Sequence, residues 1–255
     1  MQDSRPQRKV SVILPTYNEK GNILPLIQEI FKQTNRETEV IVVDDNSPDR
    51  TWEDVQELAK IQDDLHLIRR MNERGLVSAL KTGIDNSKGE IIIWMDCDFS
   101  MPPHHIKDLL GCIDEGYDLA VASRFVKDGG VEIITKGEDS LLAYLMSWQL
   151  NKFIQFVLDS SLKDYTSGFI ALKRNVLESI PLKGDYGEYF IDLIYRAIRK
   201  GFKVIEIPYV CKARRVGTSK TGTNIFHYFR KGIKYVVLTV KLRFIKIKKN
   251  GEKNG

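Results

Sequence analysis

Cysteine and histidine are scarce in this chain of 255 residues. The three cysteines, Cys97, Cys112 and Cys211, lie far apart in unrelated sequence contexts, which excludes a disulfide framework and a metal site built from clustered cysteines. The four histidines are too few for a histidine-rich metal centre. We therefore expect the protein to be made and kept in a reducing cytosol.

Long apolar segments are absent as well. The first nine residues are polar and charged, unlike a secretory signal. No run of about 18 apolar residues occurs, because Lys241 and Arg243 interrupt the best candidate for a spanning helix. With 42% hydrophobic and 29% charged residues, the composition is typical of one globular domain with a sizeable core. We expect a protein that is not integral to a membrane, while a peripheral one stays open.

Two common nucleotide-binding signatures are also missing. The chain contains neither GxGxxG nor GxxxxGK[ST], so a Rossmann dinucleotide site and a P-loop are both disfavoured. Its 18 glycines and 8 prolines are dispersed, which excludes collagen-like and low-complexity chains. The function must therefore be sought in the order of the elements and in local motifs.

The first half of the chain alternates apolar strands with segments of helical spacing. The predicted strands are Val10–Pro15, Glu39–Val43, His66–Arg70, Glu90–Met95 and Leu119–Ser123. Strands that alternate with helices of this kind predict an α/β fold with a mostly parallel sheet covered on both faces. Ligands of such sheets bind beyond the carboxyl ends of the strands, where the polar clusters of this sequence lie.

Two segments of the second half have wide apolar faces. In Leu141–Leu158, the polar residues Ser147, Asn151 and Gln155 fall on one narrow stripe of a helix. From Thr223 onward the helical pattern resumes, with Arg230, Lys231, Lys234, Lys241 and Lys248 on one side and Phe226, Phe229, Ile233, Val236, Val237, Val240, Phe244 and Ile247 on the other. Such basic amphipathic helices commonly lie in a membrane interface, which is the interpretation we favour. The alternative is a helix that docks its apolar side on the core.

The C-terminal end is strongly basic. Thirteen Lys or Arg residues and a single acid lie between Lys212 and Lys253. This charge predicts an anionic partner, which can be a membrane surface, a nucleic acid or a phosphorylated substrate. We predict that deletion from Phe226 onward leaves nucleotide binding intact and releases the protein from vesicles that contain anionic lipid.

The sharpest motif is Asp96-Cys97-Asp98, directly after an apolar strand. Two carboxylates at this spacing can share one divalent cation, and oxygen ligands suit Mg²⁺ or Mn²⁺, which typically bind substrate phosphates as well. The alternative is a pair of solvated turn acids. Cys97 is not expected to bind the cation, because a soft thiol adds little to a site for a hard cation. A nucleic-acid binder would leave this acidic edge unexplained, so we expect no nucleic-acid partner.

Two further polar clusters end the first and second strands. Asp44-Asp45 closes the second strand, where a carboxylate is well placed to accept hydrogen bonds from ribose hydroxyls or a base. After the first strand, Tyr17 offers an aromatic face for a base, and Glu19 an acceptor for its amino groups. Together with Asp96, these residues predict a nucleotide site at one edge of the sheet.

Six motifs in order make the sequence similar to family 2 glycosyltransferases of the GT-A fold, and within them to the dolichyl-phosphate mannosyltransferase (polyprenyl-phosphate hexosyltransferase) group. The motifs are PTYNE, VVDDNSPD, MDCDFSMPP, ASRF from Ala122, DYTSGF from Asp164 and RRVGTSK from Arg214. The resemblance covers roughly residues 10–222. It implies a catalytic domain over that range, a flexible tail over residues 1–9, and a basic amphipathic helix and tail over residues 223–255.

The resemblance also implies roles for individual residues. A nucleoside site is implied at Pro15, Tyr17, Glu19, Val43 and Asp45. A site for Mg²⁺ or Mn²⁺ and the donor diphosphate is implied at Asp96 and Asp98, flanked by Cys97 and Ser100. Phosphate-binding basic residues are implied at Arg124, Arg214 and Lys220, which with Asp98 form the expected catalytic set.

Some features depart from the family pattern. Many members have Gln where Ser100 stands, and a second arginine downstream of Arg124 has only Lys136 as a possible substitute. The transmembrane helices of longer members are missing, as in the shorter members that work with a membrane-anchoring partner or as peripheral proteins. The QxxRW motif of processive synthases is missing too, so elongation of a polymer is not expected.

The resemblance predicts an inverting, metal-dependent transfer of a hexose to dolichyl or polyprenyl phosphate at the cytosolic face of a membrane. GDP-mannose is the favoured donor, with UDP-glucose left open. A lipid phosphate is already anionic, so no strong general base is required. The alternatives are a family 2 enzyme with a non-lipid acceptor, for which Asp164 is the candidate base, and a non-catalytic nucleotide-binding partner subunit.

Overall fold

The structure, a computed structural model, describes residues 9–132, 138–216 and 225–247. The strands in this part of the chain are β1 Val10–Thr16, β2 Thr38–Asp44, β3 Leu65–Arg69, β4 Ile91–Trp94, β5 Leu119–Ser123, β6 Gly130–Val131, β7 Ile170–Lys173, β8 Val204–Pro208 and β9 Val210–Cys211. The helices are α1 Ile23–Gln33, α2 Thr51–Ala59, α3 Leu76–Asp85, α4 His105–Asp114, α5 Glu138–Val157, α6 Arg174–Ser179, α7 Glu188–Lys200 and α8 Ile225–Arg243.

Seven of the strands form one mostly parallel sheet in the order β3-β2-β1-β4-β7-β5-β8. Helices cover both of its faces, as the strand–helix alternation predicts. Successive residues of β1 enter opposite cores: Ile13 packs with α3 and α7, and Val12 and Leu14 pack with α1 and α4. The predicted α/β fold is confirmed, and the five predicted strands agree with β1 to β5 within about two residues.

Sequence patterning missed β7. This strand lies between β4 and β5 and pairs antiparallel with both, through contacts such as Ile93↔Ala171 and Ala120↔Ala171. Its four residues, IALK, are too short a run for periodicity to identify, and unlike the isoleucine-rich β4 they include only one β-branched residue. Burial on both faces also removes the alternation of apolar and polar residues that marks a half-exposed strand.

The polar stripe of α5 faces inward. Asn151 is buried, accepts a hydrogen bond from the backbone N–H of Tyr165 at 2.6 Å and donates to Thr166 Oγ1 at 2.8 Å. Ser147 Oγ lies 3.1 Å from the same hydroxyl, and Gln155 donates to the carbonyl of Lys163 at 3.0 Å. Leu145, Trp148 and Phe156 of this helix are exposed. The helix therefore anchors the loop before β7 through its polar side and presents apolar side chains outward.

Helix α8 docks through a different set of residues from the predicted apolar side. Thr239 and Leu242 are buried, and Tyr235 and Leu238 pack against the core. The exposed side carries Ile233, Val236, Val237, Val240 and Phe244. The alternative of an apolar side docked on the core is thus wrong for these five residues and right for Ile247, which packs against the core. The side chains of Phe226 and Phe229 lie outside the described part of the structure. No helix in the described part of the chain combines the length and apolar character needed to cross a bilayer.

Candidate active site

The carboxyl ends of β1, β2 and β4 meet at one edge of the sheet. The strand order reverses between β1 and β4, since β2 and β3 lie on one side of β1 and β4 on the other. Such a reversal opens a crevice at the strand ends, where open α/β sheets bind their ligands. The backbone N–H of Asp45 donates to the carbonyl of Thr16 at 3.1 Å and ties two of the ends together.

The Asp96-Cys97-Asp98 motif forms the turn that leaves β4. Phe99 has a φ of 64°, and the backbone N–H of Ser100 donates to Asp98 Oδ1 at 2.9 Å, which closes the turn. Asp96 is exposed toward the crevice, whereas Asp98 is buried. Cys97 is buried with its thiol 3.5 Å from the carbonyl of Pro15. The motif thus presents one open and one sheltered carboxylate.

A segment after β9 crosses over this turn. The backbone N–H of Lys212 donates to the carbonyl of Ser100 at 2.9 Å, and that of Arg215 to the carbonyl of Asp98 at 3.1 Å. Between them, Arg214 places NH1 at 2.7 Å from Asp98 Oδ2. Farther along, the side chain of Asn22 donates to the carbonyl of Val216 at 3.0 Å. The segment joins the Asp96-Cys97-Asp98 turn to the loop after β1.

The oxygen atoms around this turn suit a hard divalent cation. Asp96 and Asp98 offer carboxylates, and the hydroxyl of Ser100 lines the same cavity as Asp96. Within the described ranges, no cluster of three or more His, Cys, Asp or Glu side chains could hold a metal ion. The residues therefore fit a cation that completes its coordination with ligand phosphates, as Mg²⁺ and Mn²⁺ do. Beside Asp98, the guanidinium of Arg214 already supplies a positive charge.

Asp45 is fixed by a second arginine. Arg70 binds Asp45 Oδ1 through Nε at 2.7 Å and also through NH2, and the backbone N–H of Gly75 donates to Oδ2 at 2.8 Å. Arg70 further donates to Ser78 and to the carbonyl of Gly75. These contacts give the carboxylate one orientation at the end of β2, and its predicted role toward ribose hydroxyls stays a prediction.

Three of the nucleoside predictions are placed differently from the expectation. The ring of Tyr17 lies under the guanidinium of Arg74, whose Cζ is 3.7 Å from the ring centroid. Glu19 is buried and accepts a hydrogen bond from Asn22 at 2.8 Å, so its carboxylate shapes the loop rather than being presented at the surface. Val43 lies in the core, and its carbonyl accepts a hydrogen bond from Thr16. Asp44 is also buried, with both oxygens on Ser47.

Arg124 is held in an ion pair. Its Nε and NH2 donate to the two oxygens of Asp164 at 2.8 Å each, and its backbone N–H donates to Oδ2 at 3.0 Å. Burial opposes the charge, but the carboxylate outweighs it and raises the pKa of Arg124. Asp164 is fully buried and also accepts from Thr166. Arg124 is thus a fixed cation, and its predicted role in phosphate binding stays a prediction. Asp164 is not placed to act as a base, because it is buried against Arg124.

A cavity of about 1000 Å³ extends from this edge between α5 and α8. Its polar end includes Asp96, Ser100, Arg124, Lys212 and Arg214, with Pro15 beside them. Its other end is apolar and is lined from the two helices by Met146, Leu150, Phe153, Ile233 and Val236. The cavity can therefore hold a ligand that is anionic at one end and apolar at the other.

Aromatic side chains line the middle of the cavity and stay uncharged. Burial raises the pKa of Tyr189 and holds the pKa of Tyr209 well above its usual range. Burial also raises the pKa of the Cys211 thiol. Among the described residues that line the cavity, Asp96 is the only acid, and none is histidine. Apart from Asp96, this part of the lining therefore offers neither a carboxylate nor an imidazole as a general base.

Sequence reasoning missed Arg70 and Lys212. Arg70 directly follows β3, so a basic residue at the carboxyl end of a strand was the available signal. Lys212 lies two residues before the recognised RRVGTSK motif. Lys220 and Lys136 lie outside the described residues, and their predicted roles stay predictions.

Residues 11–180 match the family model described as Glycosyl transferase family 2. The chain belongs to this family. It is 36% identical over 235 residues to the dolichol-phosphate mannosyltransferase of Pyrococcus furiosus, covering 87% of this chain and 62% of that protein. It is 37% identical over 229 residues to the polyprenol monophosphomannose synthase of Mycolicibacterium smegmatis, covering 87% of this chain and 84% of that protein. These relatives confirm the resemblance to the polyprenyl-phosphate group.

The family 2 chain therefore spans less than two thirds of the first of these relatives and most of the second.

Solved structures share its fold. Glucosyl-3-phosphoglycerate synthase from Mycobacterium tuberculosis, in complex with Mn²⁺, UDP and phosphoglyceric acid, gives a TM-score of 0.67 at 20% identity, over 94% of this chain and 80% of that chain. The same protein with Mg²⁺ and UDP gives 0.66 at 20% identity, over 92% and 79%. The likeness confirms the GT-A-like fold.

Proposed function

We propose that this family 2 protein transfers mannose from GDP-mannose to the phosphate of a polyprenyl or dolichyl lipid, with Mg²⁺ or Mn²⁺ as cofactor. The observation that carries the proposal is the cavity itself. Asp96, Arg124, Lys212 and Arg214 gather at one end, and the two exposed helices α5 and α8 supply an apolar wall at the other. The printed names of the two relatives, a dolichol-phosphate mannosyltransferase and a polyprenol monophosphomannose synthase, support the same acceptor class.

Different charged residues would bind the cation and the phosphates of the two substrates. Asp96 and Asp98 would hold the cation, which supplies charge neutralisation of the leaving diphosphate. Arg124 is a rigid cation, because Asp164 fixes both its orientation and its charge. Preorganised charge of this kind stabilises a developing negative charge without reorganisation during the reaction. Lys212 and Arg214 add positive charge at the same end of the cavity.

The acceptor chemistry follows from the cavity lining. Asp96, the acid among the described lining residues, is assigned to the cation, and Asp164 is buried against Arg124. An alcohol acceptor would need a base to remove its proton, whereas a phosphate monoester oxygen is already ionised at neutral pH. Attack on the face opposite the nucleotide inverts the anomeric carbon and gives a β-linked product. The apolar end of the cavity then accommodates the first isoprenoid units.

The exposed apolar residues of α5 and α8 support a position of this cavity at a membrane surface. Trp148 with Lys152 near its ring, and Val237 and Val240 near Lys241, combine apolar and basic groups as interfacial helices do. We therefore propose a peripheral protein at the cytosolic face, where an anionic lipid surface attracts its basic helix. A membrane-anchoring partner would bind the same surface.

The experiment is transfer of radiolabelled sugar to polyprenyl phosphate with Mn²⁺ or Mg²⁺, comparing GDP-mannose with UDP-glucose. We expect labelled lipid from GDP-mannose, and a loss of about 10²- to 10³-fold in Asp96→Asn, the range typical when one group that stabilises the transition state electrostatically is removed. Asp63→Asn, which changes an exposed carboxylate outside the cavity, is the control. Labelled lipid from UDP-glucose alone would contradict GDP-mannose as the donor. Release of free sugar without labelled lipid would contradict a lipid phosphate as the acceptor.

A further inference from the structure

Asp98 and Arg214 form an ion pair inside the proposed metal site. NH1 of Arg214 lies 2.7 Å from Asp98 Oδ2, and the Asp98 side chain is only 2% exposed. The other carboxylate oxygen of Asp98 accepts the backbone N–H of Ser100 at 2.9 Å. A buried carboxylate requires such compensation, because an unpaired charge at this depth is strongly destabilising. Both oxygens of the expected metal ligand are thus satisfied by the protein itself.

We propose that Arg214 is a displaceable counterion of Asp98, which it holds until the donor binds and then leaves for the donor's diphosphate. The inference rests on the proposed function and adds an order of events to it. A divalent cation on Asp98 and the guanidinium of Arg214 would be like charges only a few ångströms apart in a partly buried site, where repulsion is strong. Arg214 therefore leaves Oδ2 when a cation binds there.

The structure gives Arg214 freedom to move without moving its backbone. The chain on either side is pinned to the turn by the backbone N–H groups of Lys212 and Arg215. The Arg214 side chain is 30% exposed and lines the cavity. Arg124 differs, since Asp164 and Thr166 bind its guanidinium from two sides. Of these two cavity arginines, Arg214 is thus the one suited to exchange partners.

The movement of Arg214 from Asp98 to the diphosphate couples the binding of the cation to the binding of the nucleotide. Arginine binds phosphate oxygens through charge-assisted and often bidentate hydrogen bonds, so a diphosphate in the cavity attracts Arg214 away from Asp98. Removal of this counterion exposes Asp98 Oδ2 to a cation. By linkage, nucleotide raises the affinity for the cation by the same factor as the cation raises the affinity for nucleotide. In the absence of nucleotide, Arg214 acts as a competitor that weakens cation binding.

The test is binding of Mn²⁺, followed by its electron paramagnetic resonance signal, with and without GDP. Arg214→Gln removes the competing charge, and Arg215→Gln is the matched control. Arg215 carries the same charge one residue away, but its guanidinium lies 5.3 Å from the Phe99 ring centroid and its anchoring contact is a backbone N–H. Arg214→Lys retains a cation with a different geometry. Thermal unfolding of each variant verifies that the protein is folded.

We expect Arg214→Gln to bind Mn²⁺ alone more tightly than the unchanged protein by about 5- to 150-fold, the usual range of coupling between two sites. Arg215→Gln should stay within about twofold, and Arg214→Lys should fall between the two. GDP should raise the Mn²⁺ affinity of Arg214→Gln by a smaller factor than it does in the unchanged protein.

Equal or weaker Mn²⁺ binding by folded Arg214→Gln in the absence of GDP would overturn the inference while leaving the proposed reaction intact. A GDP effect on Mn²⁺ affinity that is as large in Arg214→Gln as in the unchanged protein would overturn it as well. Failure of every protein to bind Mn²⁺, even with GDP, would contradict both this inference and the proposed metal-dependent function.

Discussion

At the scale of single residues, removing one partner of the buried ion pair between Arg124 and Asp164 should destabilise the protein strongly. The carboxylate is fully buried and accepts three hydrogen bonds from Arg124 and one from the backbone of Thr166. Asp164→Ala leaves the guanidinium without its partner in a mostly buried position. We expect a loss of about 3–5 kcal/mol in the free energy of unfolding, measured by urea denaturation.

The matched control for this variant is Asp185→Ala. Asp185 pairs with Lys234 at 3.5 Å, but its side chain is 85% exposed. An exposed pair contributes at most about 1 kcal/mol, so the free energy of unfolding of this variant should be close to that of the unchanged protein. Similar losses for Asp164→Ala and Asp185→Ala would contradict the assigned role of the buried pair.

The carboxylates of the site were predictable from the sequence, and their partners were not. Asp45, Asp96 and Asp98 follow apolar strands, so the strand pattern alone places them at one edge of the sheet. Their fixation by Arg70 and Arg214 depends on contacts across 25 or more residues of chain. Arg124 and Asp164 are likewise 40 residues apart, and no local spacing predicts such a pair.

At the scale of elements, two helical glycines of similar sequence context have opposite roles. A Cβ on Gly83 of α3 would overlap Cγ2 of Ile13 in β1, whereas a Cβ on Gly111 of α4 meets nothing within 4 Å. Gly83→Ala should therefore destabilise the protein by about 1–3 kcal/mol through overpacking. Gly111→Ala should stabilise it by about 0.5–1 kcal/mol, because alanine loses less backbone entropy in a helix.

Thermal and urea unfolding of both variants test this pair of predictions. They share the same chemical change, so a common effect of added helix propensity cancels in the comparison. A Gly83→Ala protein as stable as Gly111→Ala would mean that α3 can shift away from β1 without cost.

Asp118 links three strands of the sheet through a pH-sensitive contact. It precedes β5, accepts a hydrogen bond from Lys173 of β7 at 2.8 Å and another from the backbone of Lys203, just before β8, at 2.9 Å. Burial acts to raise its pKa, but these hydrogen bonds outweigh burial and hold the pKa below the ordinary value of 3.8. The folded state thus binds this proton less readily than the unfolded state does.

The contribution of Asp118 to stability should be full above pH 3.8 and be lost as the pH falls through its lower folded-state pKa. Urea unfolding of Asp118→Asn and the unchanged protein at pH 7, 5, 4 and 2.5 measures it. The difference in the free energy of unfolding should be constant between pH 7 and 5 and should shrink toward pH 2.5. A difference that does not change with pH would exclude the carboxylate charge as its cause.

The element that patterning could not predict is also the one that completes the sheet. Strand β7 is only Ile170–Lys173, and its place between β4 and β5 depends on antiparallel pairing with strands far away in sequence. The strong signals of β1 and β2 come from seven-residue strands that are almost wholly buried, and these two strands pair with each other. Strand β7 is as short as β4 but lacks its run of isoleucines, so its place in the sheet depends on tertiary pairing, which a local pattern does not contain.

At the scale of the whole molecule, polar and apolar surfaces are arranged around one cavity. The sheet edge brings the carboxylates and arginines to its polar end, and α5 and α8 form the apolar end. The polar stripe of α5 faces inward, against Tyr165 and Thr166, and Ile154 packs in the core. Leu145, Trp148 and Phe156 are left at the surface. An inward polar stripe is unusual for a surface helix in water and is consistent with an apolar environment outside.

The exposed apolar side of α8 gives the last prediction, which concerns membrane binding. Val237 and Val240 are exposed and, unlike Ile233 and Val236, do not line the cavity. The double variant Val237→Asp/Val240→Asp places two carboxylates on the proposed membrane surface, where they lose apolar burial and are repelled by anionic lipid. We expect at least about a tenfold loss in binding to vesicles with anionic lipid, and unchanged GDP binding.

Ile61→Asp is the matched control, since Ile61 is another exposed apolar residue, 82% accessible, in the loop between α2 and β3. Vesicle co-sedimentation at two salt concentrations measures the binding, and binding of the unchanged protein should weaken at the higher salt because its basic residues contribute. If Ile61→Asp lost as much binding as the double variant, general apolar exposure would explain the attachment. Full binding by the double variant would instead place the membrane contact elsewhere on the molecule.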